Sequence, residues 1–179
     1  MKELKRLHQY TKERFSLFQF VPLTFVLAGS ASFVLVGFGG VVALQEFMLA
    51  SVALLLFFFR LRLFDEKKDE EHDRVHYPHR PLVRGFISRR WVGVCTIIVL
   101  LIELSIALSV GQLAMVLFFG ALAYSLLMYV EFFMKKFLEK HFMTYVLSHE
   151  ALAVPLFLYL YAILGFPKTG LDEGLLWLL

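Results

Sequence analysis

The chain has 179 residues, of which 59% are hydrophobic and 18% are charged, and its mean hydropathy is +0.71. These values exclude a soluble globular domain and are typical of a polytopic membrane protein. The net charge of +3 does not indicate nucleic-acid binding, because the basic residues lie between apolar segments, where membrane topology accounts for them.

A basic segment, residues 1–14, begins the chain, and its apolar Leu4, Leu7 and Tyr10 recur at helical spacing. We interpret this segment as retained on the cytoplasmic side, where it is suited to the membrane surface. The rest of the chain, residues 15–179, is predicted to form a single transmembrane helical domain.

Apolar residues in that domain predict five complete membrane spans and the start of a sixth. The complete spans cover about residues 15–36, 41–63, 91–110, 113–129 and 142–164, and the partial span covers residues 175–179. The predicted fold class is therefore all-α, a polytopic transmembrane helix bundle. Short turns make consecutive spans antiparallel neighbours.

Lysine and arginine residues are distributed asymmetrically along these spans. All but one of the 18 lie in residues 1–14, 60–90 and 131–141, which the alternation of spans places on one side of the membrane. Because cytoplasmic loops are enriched in basic residues, this side and the N-terminus are predicted to be cytoplasmic. We expect an integral, multi-pass protein of a bacterial or archaeal inner membrane.

An acidic stretch follows the second span directly. Asp65, Asp69 and Asp73 recur every four residues, so on a helix their carboxylates share one face, and Glu66 adds an acid beside the first. The residues alone leave two interpretations open: a solvated face neutralised by neighbouring Lys and Arg, or a site for a hard cation. The position at a membrane rim favours the second, because acids there are costly unless they have a function.

A resemblance to a known family starts from this stretch. Its motif reads Asp65-Glu66-x-x-Asp69-x-x-x-Asp73 and is followed by Tyr77-Pro78-His79-Arg80-Pro81-Leu82 and then Arg84-Gly85. This combination resembles the first aspartate-rich motif of the UbiA-type intramembrane prenyltransferases. The family commonly has Asn at the position of Asp65 and Asp at the position of Glu66, and both replacements keep oxygen ligands. The basic N-terminal segment and residues 124–133 also resemble a bacterial subgroup of this family.

The resemblance implies Mg²⁺-dependent transfer of a prenyl group from a polyprenyl diphosphate to a small or lipid acceptor within the membrane. It implies Mg²⁺ binding by Asp65, Glu66, Asp69 and Asp73, with Asp65, Asp69 and Asp73 as the catalytic residues. It implies diphosphate contacts from Arg80, Arg84 and Lys68, although Lys67 and Lys68 are equally suited to lipid headgroups. These cations would neutralise the charge that develops on the leaving diphosphate.

The resemblance covers the first half to two thirds of a family member, which usually has more spans and a second acidic motif. Residues 131–179 contain no second acidic cluster. We therefore expect one of three things: a truncated chain, a chain completed by a partner or by dimerisation, or a non-catalytic membrane protein that binds lipid diphosphates or anionic headgroups. The CDP-alcohol phosphotransferases fit less well, because the Asp-Gly-x-x-Ala-Arg start of their motif is not found.

Several further residues leave alternatives open. Glu103 lies in the middle of a span, where an acid has either a function or a hydrogen bond to a neighbouring helix. His149 and Glu150 in the fifth span either contact the acceptor or bridge helices. Two negative predictions concern metals: the spacing of the histidines near the motif does not match a zinc helix, and the single Cys95 cannot form a disulfide framework or a cysteine metal site.

Overall fold

Helices make up most of residues 2–166, the part of the chain that the computed structural model describes. They are α1 (Lys2–Arg14), α2 (Leu17–Gly37), α3 (Leu44–Lys68), α4 (Glu70–His76), α5 (Arg89–Val110), α6 (Gln112–Tyr129), α7 (Lys135–Lys140), α8 (Phe142–Glu150) and α9 (Ala153–Ile163), with a short turn at Glu131–Phe133. Five segments are long and apolar enough to cross a membrane, namely α2, α3, α5, α6 and Phe142–Ile163. They confirm the predicted all-α polytopic fold. The partial span predicted at residues 175–179 lies outside the described residues.

The helix α3 lies at the centre of the bundle, where it contacts α2, α5, α6 and α9. Small residues line these contacts: Ala50 and Ala53 on α3, and Ala28, Ala107 and Ala121 on other helices of the same core. Small side chains let helix backbones approach closely, and packing of this kind stabilises spans in a bilayer, where lipid is as apolar as the side chains. The second span is therefore the central helix of the bundle, and the acidic motif begins in its last turn.

Short links explain why consecutive spans pack as antiparallel neighbours. The helices α5 and α6 are joined through Gly111, whose φ of +138° favours glycine. Gly40 lies in the turn between α2 and α3, and a Cβ atom there would be 2.9 Å from the carbonyl oxygen of Leu35. A larger residue at position 40 would therefore open this turn.

The fifth span, predicted for residues 142–164, consists of two helices, because it is interrupted between α8 and α9. Pro155 lies four residues after Ala151 and has no N–H group to donate to the Ala151 carbonyl. That carbonyl instead accepts from the Val154 N–H over 3.1 Å, a tighter bond that interrupts the α-helix. The proline thus sets the position of the break.

The N-terminal helix α1 packs against the bundle. Tyr10 is fully buried, and its ring meets the rings of Phe59 and Trp91 edge-on at centroid distances of 6.1 and 5.5 Å. Leu63, Ile87 and Val92 complete this small core. The helix therefore covers the end of the bundle from which the acidic motif projects.

Candidate functional site

The acidic motif spans the end of α3, a break and the start of α4. Asp65 and Glu66 lie in the last turn of α3, Asp69 lies at the break between the helices, and Asp73 lies in α4. The backbone N–H groups of Asp69 and Asp73 still donate to the carbonyls four residues earlier, over 2.9 and 2.8 Å. The four-residue spacing is therefore kept through the break. We call this end of the bundle the motif end.

Glu66, like Asp73, is an almost completely buried acid of the motif. One of its oxygens, Oε1, accepts a hydrogen bond from Arg14 of α1, and its side chain is 1% exposed. The second oxygen, Oε2, is buried and has no hydrogen-bond partner among residues 2–166. The Tyr10 hydroxyl also lies near Glu66 without a partner in that range, and burial and this carboxylate raise the pKa of the phenol. Two buried polar atoms at the motif end, Tyr10 Oη and Glu66 Oε2, therefore have no hydrogen-bond partner among residues 2–166.

Asp73 and Arg80 form an ion pair across the turn that follows α4. The guanidinium of Arg80 also lies 4.2 Å from the ring centroid of Tyr77, within range of a cation–π interaction. Burial lowers the pKa of Arg80, but the hydrogen bond to Asp73 outweighs that effect, so the pKa is raised. Asp73 thus fixes the position of an arginine that the sequence predicts to bind phosphate.

Arg84 pairs with Glu13 of α1 at 2.8 Å, and both side chains remain about one third exposed. The same guanidinium donates to the carbonyl oxygen of His79 over 3.1 Å. The hydrogen bond from Arg84 lowers the pKa of the Glu13 carboxyl. Because Gly85 follows with a φ of +75°, the chain turns sharply here and brings Arg84 against α1.

Glu70 is a structural acid that the sequence did not single out. It is buried, and it accepts hydrogen bonds from Arg74 of α4 and Arg89 of α5. Burial raises the pKa of this carboxyl, but the two arginines outweigh it, so the pKa is lowered. Glu70 therefore ties the short helix α4 to the start of the third span. Its only signal in the sequence is its place in the acidic run.

Lys68 forms an ion pair that the sequence does not indicate. Its Nζ atom lies 2.7 Å from Glu131 Oε1 and 3.5 Å from the Met128 carbonyl oxygen. Glu131, Phe132 and Phe133 have φ angles of +53°, +51° and +58°, which place three consecutive residues other than glycine in the left-handed region. Each costs about 1–2 kcal/mol relative to the right-handed region. We call residues 131–133 the left-handed turn.

Inside the membrane region, Glu103 pairs with Arg60 of α3. The Arg60 Nε donates to Glu103 Oε2 over 2.7 Å, and its Nη1 donates to the Ser125 hydroxyl of α6 over 2.9 Å. Both charged side chains are 0–1% exposed. The structure thus gives Glu103 a partner on the neighbouring helix α3. The sequence signal is Glu103 itself, the single charged residue in the apolar part of α5, with Arg60 as an opposite charge in the span before it.

His149 and Glu150 are not equivalent in the structure. The His149 Nδ1 lies 2.9 Å from the Tyr145 carbonyl oxygen, and its buried Nε2 has no partner among the described residues. The ring of Phe132 lies 6.2 Å from that of His149, whereas Glu150 is exposed. His149 thus contacts the left-handed turn, while Glu150 points away from the bundle.

The predicted residues are therefore brought to one end of the bundle, but most of them hold partners there. In residues 2–166, no group of three or more His, Cys, Asp or Glu side chains is arranged to hold a metal ion. Oxygen atoms are nevertheless available from three acids. Asp65 is 3.6 Å from Arg62 and half exposed, Asp69 has no ion pair within the described part of the chain, and Glu66 keeps its Oε2.

A cavity of about 610 Å³ lies elsewhere. It is lined by residues at the start of α3, the α5–α6 link and the end of α9, including Gln45, Gln112 and Phe166. Gln45 and Asp65 are 20 residues apart on α3, which corresponds to about 30 Å along a helix. The cavity is thus at the opposite end from the motif and is not part of the candidate site.

Comparison with known protein families gives a match that covers most of the chain. The model of the UbiA prenyltransferase family matches residues 22–160, which include the acidic motif and all five apolar segments except the ends of the first and last. No curated protein and no solved structure matches the chain.

Proposed function

The chain belongs to the UbiA prenyltransferase family, and on this basis we propose that it transfers a prenyl group from a polyprenyl diphosphate to a small or lipid acceptor within the membrane. The family match carries this proposal, because it covers both the acidic motif and the apolar helices around it. The five apolar segments make the chain an integral membrane protein, which suits a substrate with a long isoprenoid tail.

We propose Mg²⁺ as the cofactor, and the buried Oε2 of Glu66 supports this choice. A buried carboxylate oxygen without a partner is costly unless a cation or a donor satisfies it. Asp65, Glu66 and Asp69 supply hard oxygen ligands, and Mg²⁺ needs only one or two protein carboxylates besides water and phosphate oxygens. The absence of a preformed group of three acids in residues 2–166 is compatible with that requirement. When it is bound, Mg²⁺ would neutralise part of the negative charge of the diphosphate.

Asp73 has a different role in this proposal. Its carboxylate is engaged by Arg80, so it orients that guanidinium toward a phosphate and contributes to the metal site only through its charge. Arg80, Arg84 and Lys68 bind diphosphate oxygens, because a fixed cation stabilises the leaving group more as its charge grows. Arg84 is the most accessible of the three, because its side chain is 35% exposed and those of Arg80 and Lys68 are each 19% exposed.

A second candidate function is binding of lipid diphosphates or anionic headgroups without catalysis, or with a partner chain or second copy that completes the site. One observation favours it: the part of the chain that the structure describes contains one acidic motif of this kind. The two functions share the same residues at the motif end. They differ in whether a prenylated product forms.

Transfer of a labelled prenyl group distinguishes the two functions. Proteoliposomes containing the full chain are incubated with radiolabelled farnesyl diphosphate, Mg²⁺ and a bacterial lipid extract as the acceptor source. The proposal predicts a labelled, diphosphate-free product that depends on Mg²⁺ and is lost in Asp69→Asn. The exposed Glu71→Gln serves as the control and should keep the activity. Equal label in the wild type and in Asp69→Asn would contradict the catalytic proposal.

A further inference from the structure

The left-handed turn is the most strained backbone segment among the described residues. Glu131, Phe132 and Phe133 all have positive φ angles, and none of them is glycine. Phe133 is 82% exposed, so its own side-chain packing does not hold the turn in place. Strain of this kind persists only where neighbouring contacts over-determine the backbone, and it is often found at switches and ligand clamps.

Two contacts from outside the turn hold it. The first is the ion pair between Glu131 and Lys68, in which the side chains are 15% and 19% exposed. The second is the ring of Phe132, which lies edge-on to Tyr124 at 5.6 Å and to His149 at 6.2 Å. The first contact alone connects the turn to the acidic motif, because Lys68 immediately precedes Asp69.

Lys68 therefore has two possible anionic partners. It is the last residue of α3, at the end of the bundle where the proposed diphosphate binds. Its ammonium group is a single compact charge, and a carboxylate and a diphosphate that share it would repel each other at short distance. Glu131 and the diphosphate consequently compete for the same cation.

We propose that Glu131 withholds Lys68 from the diphosphate, and that diphosphate binding exchanges this ion pair and releases the left-handed turn. This inference rests on the proposed function for the identity of the ligand. The exchange couples two events: Lys68 moves from a carboxylate to a phosphate, and residues 131–133 lose one of the two outside contacts that hold them in the left-handed region. The strain in the turn favours the exchange, since it is relieved when Glu131 is freed.

Removal of the Glu131 charge tests the competition. The probe is inorganic pyrophosphate with Mg²⁺, titrated into the full chain in detergent. Glu131→Gln should bind it roughly fivefold more tightly than the wild type, because Lys68 no longer has a charged partner. Glu139→Gln is the matched control: it removes one exposed acid from the neighbouring helix α7 and should leave the affinity unchanged. In a Lys68→Gln background, Glu131→Gln should have no further effect.

Relief of the backbone strain in the left-handed turn should weaken pyrophosphate binding, whereas removal of the Glu131 charge should strengthen it. Glycine at position 133 adopts a positive φ without steric cost, so Phe133→Gly favours the paired turn. Phe133→Ala removes the same exposed ring but keeps the Cβ atom. Phe133→Gly should therefore bind pyrophosphate about threefold more weakly than Phe133→Ala. Tighter binding in the glycine variant would overturn the inference.

A measurement without ligand separates this inference from the proposed function. The Phe133 N–H donates to the Val130 carbonyl over 3.0 Å, and the Met134 N–H donates to the Glu131 carbonyl over 2.8 Å. Amide hydrogen exchange at these two residues should be faster in Glu131→Gln than in Glu139→Gln. Equal exchange in the two variants overturns the inference whatever the binding data show. If neither the wild type nor any variant binds pyrophosphate, the proposed function fails. If the wild type binds pyrophosphate and Glu131→Gln binds it with the same affinity, this inference alone is overturned.

Discussion

Arg60 of α3 and Glu103 of α5 form an ion pair in which the Nε–Oε2 distance is 2.7 Å and both side chains are almost completely buried. The guanidinium also donates to Ser125 and lies 4.5 Å from the ring centroid of Phe57. Arg60 is five residues before Asp65, so the pair holds three spans together slightly more than one helical turn below the acidic motif. It fixes the rotation of α3 and with it the direction in which the motif acids project.

Loss of one member of this pair should be strongly destabilising. Glu103→Leu leaves a buried, unpaired guanidinium and should cost about 3–5 kcal/mol of stability. The double variant Arg60→Met, Glu103→Leu removes both charges and should regain most of that loss. Thermal unfolding of the detergent-solubilised chain measures both effects. Additive losses in the double variant would show that the two side chains do not interact.

Arg80 is expected to contribute to diphosphate affinity. Arg80→Ala removes a charged hydrogen-bond donor and should weaken pyrophosphate binding at fixed Mg²⁺ by about 10- to 100-fold. Arg74→Ala is the matched control, because Arg74 is an exposed arginine of α4 that pairs with Glu70. If both variants lost the same amount of pyrophosphate affinity, the effect would come from the lower positive charge of the surface and not from a specific contact of Arg80.

Stability should fall in acid because of Glu70. Arg89 and Arg74 hold the pKa of this carboxyl below its ordinary value. A group with a lowered folded-state pKa contributes stability that is fully present above the unfolded pKa of about 4.3 and is lost as the pH falls through the folded value. The melting temperature of the wild type should therefore approach that of Glu70→Gln below about pH 4. Glu71→Gln should follow the wild type at every pH, and a constant gap between the wild type and Glu70→Gln would contradict this origin.

The motif end is expected to face the cytoplasm. In a Cys95→Ala background, single cysteines are placed at Lys136 near the motif end and at Phe38 in the opposite turn, both of which are exposed. An impermeant maleimide added to intact spheroplasts should label Phe38→Cys and should label Lys136→Cys only after the membrane is disrupted. The reverse pattern would invert the proposed topology.

The spans were predictable because apolar runs separated by short polar links leave few alternatives in a bilayer. The acidic motif was equally predictable, since its residues lie within nine positions of one another. The break in the fifth span was partly predictable, because Pro155 lies close to it. Membrane helices also tolerate proline, so the sequence alone does not show that the helix is interrupted between α8 and α9.

The partners of the motif residues were not predictable. Glu66 meets Arg14 across 52 positions and Lys68 meets Glu131 across 63, so neither pair leaves a local pattern. The left-handed turn was not predictable either, because it contains no glycine and its conformation depends on contacts with α3 and α8. Glu70 appeared as one acid in a run, although its two arginines make it structural.

If the motif end binds a prenyl diphosphate through Mg²⁺, a calorimetric titration should detect that binding and its dependence on the metal. Farnesyl diphosphate is titrated into the purified chain with Mg²⁺ or with EDTA, and into Asp69→Asn and Glu71→Gln. The wild type and Glu71→Gln should bind in Mg²⁺, and binding should be lost in EDTA and in Asp69→Asn. Equal binding in EDTA, or wild-type affinity in a folded Asp69→Asn variant, would show that the motif end does not bind the diphosphate through Mg²⁺.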